Sequence, residues 1–96
     1  MNKTINKGEE EMKKLNQEVK ILQIVANSKD LPTYEVIRRG INWYVGNPDR
    51  VLRRLQHKGY VFGQLLDSKT RYKFWNITKS GKIYLKQIIY TLKNKE

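Results

Sequence analysis

The sequence predicts a small α+β domain with three helices, a two-stranded β-hairpin and a C-terminal helix. Apolar residues recur at spacings of three and four near both ends of the chain, which is the pattern of one helical face. A favoured N-cap residue followed by proline marks the start of another helix in the middle. Between that helix and the last one, two short segments are rich in aromatic and β-branched residues, which favour strands. The 96 residues suffice for one domain with a modest core.

The first helix is predicted to begin at Glu9. Carboxylates at positions 9–11 offset the positive end of the helix dipole. Its apolar face consists of Met12, Leu15, Val19, Leu22 and Ala26. Residues 1–8 lack apolar periodicity, so we expect a flexible tail there, a domain over residues 9–92 and a second tail over residues 93–96.

The second helix is predicted as a short segment after Pro32. The residue before a proline avoids helical backbone, so the chain is expected to be extended up to this point. The hydroxyl of Thr33 is expected to cap the helix, and Gly40 is expected to end it. Val36 and Ile37 are expected to face the core.

The third helix has the clearest start signal in the chain. Asn47 is a favoured N-cap, Pro48 is tolerated at the first helical position, and Asp49 complements the dipole. Gly59 is expected to end the helix. The residues predicted to line its buried face are Pro48, Val51, Leu52 and Leu55.

The hairpin is predicted from strands at residues 60–62 and 71–77, joined by a link of turn composition at residues 67–70. Alternation places Trp75 on one strand face with Ile77, and we expect Trp75 to be a core residue. For Trp43, packing behind the turn and contact with a sugar both remain open. The last helix is predicted to be capped by Thr78, with an apolar side formed by Tyr84, Leu85, Ile88, Ile89 and Leu92.

Two stretches resemble the winged helix-turn-helix superfamily. Residues 51–61 are similar to the end of a winged-helix recognition helix, in which two leucines three apart precede a basic or polar turn, a glycine and a strand. Residues 75–82 resemble the close of the wing in MarR- and PadR-like regulators. The resemblance covers residues 15–90 and implies a winged helix that binds DNA, of the kind found in small phage or archaeal-virus regulators. One departure is the segment 41–46, which is longer than the turn of a minimal helix-turn-helix.

The charge balance points to a polyanionic partner. Lys and Arg number 20 against 9 Asp and Glu, a net charge of +11, and such an excess attracts nucleic acid, an anionic membrane surface or an acidic protein. No apolar run approaches the ~20 residues that span a bilayer, so we expect a cytoplasmic protein (in the host cytoplasm if viral) that does not enter a membrane. Cysteine is absent, which excludes disulfides and thiolate chemistry.

Double-stranded DNA is therefore the expected partner. The candidate contacts are Asn47, Arg50, Arg53, Arg54, Lys58, Lys69, Arg71 and Lys73. Arg50 is expected to read guanine, whereas Asn47 either reads adenine or only caps the helix. Arg53 and Arg54 are expected to contact phosphates. On the wing, the basic residues of the hairpin are expected to reach the minor groove or its flanking phosphates.

Other functions are less well supported by the residues. No nucleophile–histidine–acid set and no zinc-ligand pattern is present, so we expect no enzyme, no metal, no cofactor and no small-molecule substrate. Two alternatives remain: a winged helix used as a protein-interaction module of a replication or packaging complex, and a single-stranded nucleic-acid binder that stacks bases on the aromatic wing.

A homodimer is also expected. The apolar residues of the last helix spread over more of its circumference than one small core requires. The predicted dimer interface consists of Ile83, Leu85, Ile88, Ile89 and Leu92, and Met12, Leu15 and Val19 could supply the matching surface. The alternative is that this wide stripe packs on the first helix within one chain.

Overall fold

The computed structural model describes residues 7–65 and 73–93, and within these ranges it gives the side chains of residues 13–65, 73–91 and 93. The elements are α1 Lys7–Ala26, β1 Leu31–Pro32, α2 Thr33–Asn42, α3 Pro48–His57, β2 Val61–Gln64, β3 Phe74–Ile77 and α4 Lys79–Lys93. The predicted α+β order of helices and hairpin is confirmed, and one short strand is added. Helix α1 begins two residues earlier than Glu9, so the predicted tail boundary at residue 8 lies inside the helix.

The three strands form an antiparallel sheet in the order β1-β3-β2. The segment expected to be extended before Pro32 is strand β1, in which Leu31 pairs with Trp75. Strand β2 begins one residue later than predicted. It also ends two residues later, because Gly63 still pairs with Trp75 and lies under its ring. A Cβ on Gly63 would lie 3.0 Å from the indole, so the absence of a side chain permits this packing.

Two predictions about α2 are wrong. Thr33 does not cap the helix: its Oγ1 accepts a hydrogen bond from Trp75 Nε1 at 2.7 Å, and no side-chain cap is present at this end. Gly40 does not end the helix, which continues to Asn42. A Cβ on Gly40 would lie 2.8 Å from Pro48, so this glycine allows α2 and α3 to pack closely. Tertiary contacts therefore override the local turn preferences of both residues.

Helix α1 lies at the centre of the domain and contacts α2, α3, α4 and β3. The predicted buried face of α3 is confirmed, and Trp75 is buried as expected. The predicted cap of α4 is also confirmed, since the backbone N–H of Gly81 donates to Thr78 Oγ1 at 2.9 Å. The core consists of Ile21, Leu22, Ile24, Val25, Leu31, Val36, Val45, Val51, Leu52, Leu55, Val61 and Trp75.

Candidate nucleic-acid interface

The N-terminus of α3 is capped and fixed in place. The Oδ1 of Asn47 accepts a hydrogen bond from the backbone N–H of Arg50 at 3.3 Å, and Pro48 occupies the first helical turn. The prediction that Asn47 caps α3 is confirmed, and its contact with adenine stays a prediction. Because buried Pro48 packs closely against Gly40 of α2, side chains on the first turn of α3 are presented from a rigid support.

Arg50 and Arg53 form the exposed basic side of α3. Arg53 is paired with Asp49 on the same helix at 3.2 Å, but 75% of its side chain remains accessible. Among the described side chains (residues 13–65, 73–91 and 93), no carboxylate lies within ion-pair distance of Arg50. An exposed guanidinium without a carboxylate partner retains its donors for an anion or for the edge of a base.

Arg54 on α3 and Lys58 just after it, which were also predicted to contact DNA, bind a buried carboxylate. The Oε2 of Glu18 on α1 accepts hydrogen bonds from Arg54 Nε and from Lys58 Nζ, both at 3.0 Å. Its Oε1 accepts from the hydroxyl of Tyr84 on α4 at 2.8 Å. We call Glu18, Arg54, Lys58 and Tyr84 the Glu18 cluster. Contact of Arg54 and Lys58 with DNA stays a prediction, since the structure directs both side chains to α1.

The electrostatics of the Glu18 cluster favour the ionised carboxylate. Burial alone would raise the pKa of Glu18, but the hydrogen bonds from Lys58, Tyr84 and Arg54 outweigh it and hold the pKa below its ordinary value. Burial and the hydrogen bond to Glu18 raise the pKa of Tyr84, which therefore stays protonated and donates. The ring of Tyr84 also stacks on Tyr60, with centroids 4.1 Å apart. The cluster thus ties α1, α4 and the end of α3 together.

On the hairpin, the structure describes only one of the three predicted contacts. Lys73 is exposed, and its Nζ lies 5.9 Å from the centre of the Trp75 ring. Its carbonyl oxygen accepts from both the backbone N–H and the hydroxyl of Thr33, which joins the loop end of β3 to the start of α2. Lys69 and Arg71 lie outside the described residues.

The predicted dimer interface on α4 is divided between the core and the surface. Ile88 is buried, and Leu85 packs partly buried against the core of the same chain. Ile83 is 51% exposed, and Ile89 is half-buried. The side chain of Leu92 is not among those described. Part of the wide apolar stripe therefore packs within one chain, as the alternative interpretation expected.

Glu18 was not identified from the sequence as a buried residue, nor was Trp75 identified as the donor of a hydrogen bond to Thr33. Glu18 lies three residues after Leu15 and four before Leu22, so helical spacing places it on the apolar face of α1. A carboxylate on an apolar face requires a partner in the core, so the spacing of Glu18 could have predicted a buried ion pair. No comparable signal predicted the hydrogen bond between Trp75 and Thr33, which are 42 residues apart.

Neither a cluster of metal ligands nor a membrane-spanning helix is found among the described residues. Its His, Cys, Asp and Glu residues form no group of three or more that could hold a metal ion. None of the described helices combines the length and the apolar composition needed to cross a membrane.

Comparison with known proteins identifies the fold. No protein-family model matches the chain, and the search of curated proteins gives no match. Among solved structures, the chain is similar to a PadR-like transcription factor from Bacteroides fragilis, with a TM-score of 0.74 and 16% identity over 93% of this chain and 91% of that one. It is also similar to a protein proposed as a MarR-like transcription regulator from Bacillus cereus, with a TM-score of 0.63 and 19% identity over 85% of this chain and 66% of that one. The chain therefore has the winged-helix fold predicted from its sequence.

Proposed function

We propose that this protein binds double-stranded DNA in a sequence-specific manner and acts as a transcriptional regulator. The observation that carries the proposal is the exposed arginine side of α3, presented from a capped N-terminus within a winged-helix fold. An α-helix of this kind fits the major groove, and residues near its N-terminus reach the base edges. The net charge of +11 supports a polyanionic partner. The two similar solved structures carry the names of transcription regulators, which agrees with the proposal.

The residues divide between reading bases and contacting phosphates. Arg50 donates two hydrogen bonds to guanine, and the side-chain amide of Asn47 is near enough in sequence to contact an adjacent base. Arg53 contacts a phosphate, and its ion pair with Asp49 orients it. The wing residues Lys69, Arg71 and Lys73 contact the neighbouring minor groove or backbone. Arg54 and Lys58 contact DNA only when they release Glu18, so we assign them a smaller part of the binding free energy.

Arg50→Ala tests the base-reading assignment. We expect it to weaken binding to the preferred duplex by about 1–3 kcal/mol and to relax the sequence preference, because alanine cannot replace the bidentate hydrogen bonds to one base. The preferred duplex is first selected from a random pool, and affinities are then measured by fluorescence anisotropy. Gln56→Ala is the matched control, since Gln56 is exposed near the C-terminal end of the same helix, away from the turn that is proposed to read bases.

Three outcomes of this experiment would count against the proposal. If no motif is enriched from the random pool, the binding is not sequence-specific. If Arg50→Ala leaves the preference unchanged, another residue reads the base. Tighter binding to single strands than to duplex would favour the alternative in which the wing stacks bases, although burial of Trp75 removes one aromatic ring from that surface.

We further propose that the protein is a two-fold homodimer joined through α1 and α4, which would place two copies of α3 on one side of the duplex. The half-buried Ile89 supports this proposal, because it remains partly accessible in the single chain. The N-terminal half of α1, with Leu15 only partly buried, offers a matching surface.

Ile89→Lys is expected to convert the dimer to a monomer, because it places a charge in an apolar interface. The measurement is light scattering after size-exclusion chromatography at micromolar concentration, with circular dichroism to confirm folding. Thr91→Lys adds the same charge at an exposed position of α4 and should leave the dimer intact. A wild-type monomer, with and without DNA, would contradict the proposal, and a dimer that survives Ile89→Lys would place the interface elsewhere.

A further inference from the structure

Helix α4 carries four exposed lysines on one side. They are Lys79, Lys82, Lys86 and Lys93. At 100° per residue these positions fall within an arc of about 60° and span about 21 Å along the helix. We call them the lysine stripe. No Asp or Glu occurs anywhere in α4, so the stripe is not balanced within its own helix.

Of the lysine stripe, only Lys93 lies where a cation stabilises the helix, in its last turn. Lys82 and Lys86 are four residues apart, and like charges at this spacing repel each other. Lys79 and Lys82 lie in the first turn, where the positive end of the helix dipole disfavours cations. Among the side chains that the structure describes, those of residues 13–65, 73–91 and 93, no carboxylate forms an ion pair with any of the four. Surface helices usually mix both signs of charge, so this arrangement calls for a partner outside the chain.

A polar cavity extends the positive surface beyond α4. It has a volume of about 320 Å³ and opens between the end of α1, strand β3 and the first turn of α4. Lys82 lines it together with Lys29, and no carboxylate is among its lining residues. Asn27, Ser28 and Asn76 also line it, and the side chain of Asn76 is hydrogen-bonded to Asp30, donating from Nδ2 to its carboxylate at 2.8 Å. Lys29 and Lys82 are the cationic side chains that this concave surface offers to a phosphate.

From these observations we propose that the lysine stripe is a second DNA-contacting surface, which binds the phosphate backbone of duplex DNA without reading sequence. This inference rests on the proposed function and adds a surface separate from α3. Lysine suits the role because its ammonium is a point charge that binds phosphate without a strict geometry. Such contacts raise affinity for any duplex and make it more sensitive to salt.

The same helix is poorly suited to an anionic membrane. A helix that lies on a membrane buries an apolar face in the lipid. On α4, Ile88 is buried and Leu85 packs against the core, which leaves Ile83 and Tyr90 as the exposed large apolar residues beside the stripe. Two exposed apolar side chains offer little surface for insertion into lipid, and duplex DNA is the polyanion that the α3 surface already requires.

The test compares two double variants that remove the same charge. Lys82→Gln/Lys86→Gln alters the lysine stripe, and Lys13→Gln/Lys14→Gln alters exposed lysines on α1. Affinity for a random-sequence duplex is measured by anisotropy over a series of salt concentrations. We expect the α4 variant to lower the slope of log affinity against log salt by about 0.9 for each phosphate that is no longer neutralised, so by up to about 1.8. The α1 variant should change the slope much less, and the preference for the selected site should survive in both.

Controls separate this inference from the proposed function. Circular dichroism and light scattering check that folding and oligomeric state are unchanged, because Ile89 lies close to the stripe on α4. If the wild type binds duplex and the two double variants give equal slopes, the lysine stripe does not contact DNA, while the role of α3 still stands. If the wild type binds no duplex, both proposals fail. Loss of binding to phosphatidylserine vesicles in the α4 variant, with an unchanged DNA slope, would overturn the inference in favour of a membrane.

Discussion

Glu18→Ala is expected to lower the free energy of unfolding by about 3 kcal/mol. Glu18 is 2% exposed and accepts hydrogen bonds from Arg54, Lys58 and Tyr84. Its removal therefore leaves three donors without their acceptor. Breaking a buried ion pair costs about 3–5 kcal/mol. We expect the lower end of this range, because the side chains of Arg54 and Lys58 are partly exposed and water can solvate them once Glu18 is removed. Urea denaturation followed by circular dichroism measures the change.

Two further variants identify the cause of that loss. Glu18→Gln keeps the shape and one carbonyl acceptor but removes the charge, so it should be less destabilising than Glu18→Ala. Glu35→Ala removes a carboxylate whose ion pair with Arg38 lies at the surface, and it should change stability little. If Glu18→Ala and Glu35→Ala had the same effect, the Glu18 cluster would not stabilise the packing of α1, α3 and α4.

The Glu18 cluster also predicts a pH dependence. The folded-state pKa of Glu18 lies below its ordinary value of 4.5, so the folded state keeps this carboxylate ionised at pH values where the unfolded state is protonated. Its contribution to stability is therefore fully present above about pH 4.5 and is lost as the pH falls through the folded-state pKa. Acidification should thus destabilise the wild type more than Glu18→Gln. Parallel loss of stability in both proteins would assign the acid sensitivity to other carboxylates.

Trp75→Ala is expected to lower the free energy of unfolding by about 3–5 kcal/mol, the range for truncating a buried large aromatic residue. The indole is 4% exposed, packs on Gly63 and donates its N–H to Thr33. Because Trp75 lies on the central strand, the substitution should loosen both neighbouring strands and the start of α2. Thermal and urea unfolding followed by circular dichroism measure the loss.

Phe62→Ala is the matched comparison for Trp75→Ala. Phe62 lies on β2 of the same sheet but is 41% exposed, so its truncation should be less destabilising. Thr33→Val retains the shape of the threonine but removes both the acceptor of the indole N–H and the donor to the Lys73 carbonyl, so it measures these two hydrogen bonds together. A Trp75→Ala protein as stable as Phe62→Ala would show that the indole is not a core residue.

The Glu18 cluster changes how the charge of α3 is interpreted. Counting basic residues along the sequence assigns four cations to this helix and its end, whereas Glu18 binds two of them. The arginines that α3 presents without a contact to another element are Arg50 and Arg53. Since Tyr84 joins the cluster from α4, the position of α3 depends on the two helices that we propose as the dimer interface.

The sequence alone was sufficient for features that depend on neighbouring residues. The start of α3 follows from Asn47 and Pro48, because capping and the geometry of proline act within one helical turn. The cap formed by Thr78 is equally local. Helical spacing also identified the buried face of α3, and strand alternation identified Trp75 as a core residue. Together these local rules predicted the α+β order of the elements, and the resemblance of residues 51–61 and 75–82 to winged-helix regulators predicted the fold.

Only the tertiary structure decided which polar groups meet. The hydrogen bonds of Glu18 join residues 36, 40 and 66 positions apart, and no local pattern relates such distant partners. Thr33 and Gly40 have the residue types of a cap and a helix end, yet the indole of Trp75 and the ring of Pro48 determine their roles. Helical spacing shows which side chains share a face, but the packing of helices determines what that face contacts. For this reason the sequence predicted a basic third helix, and the fold decided which of its cations face solvent.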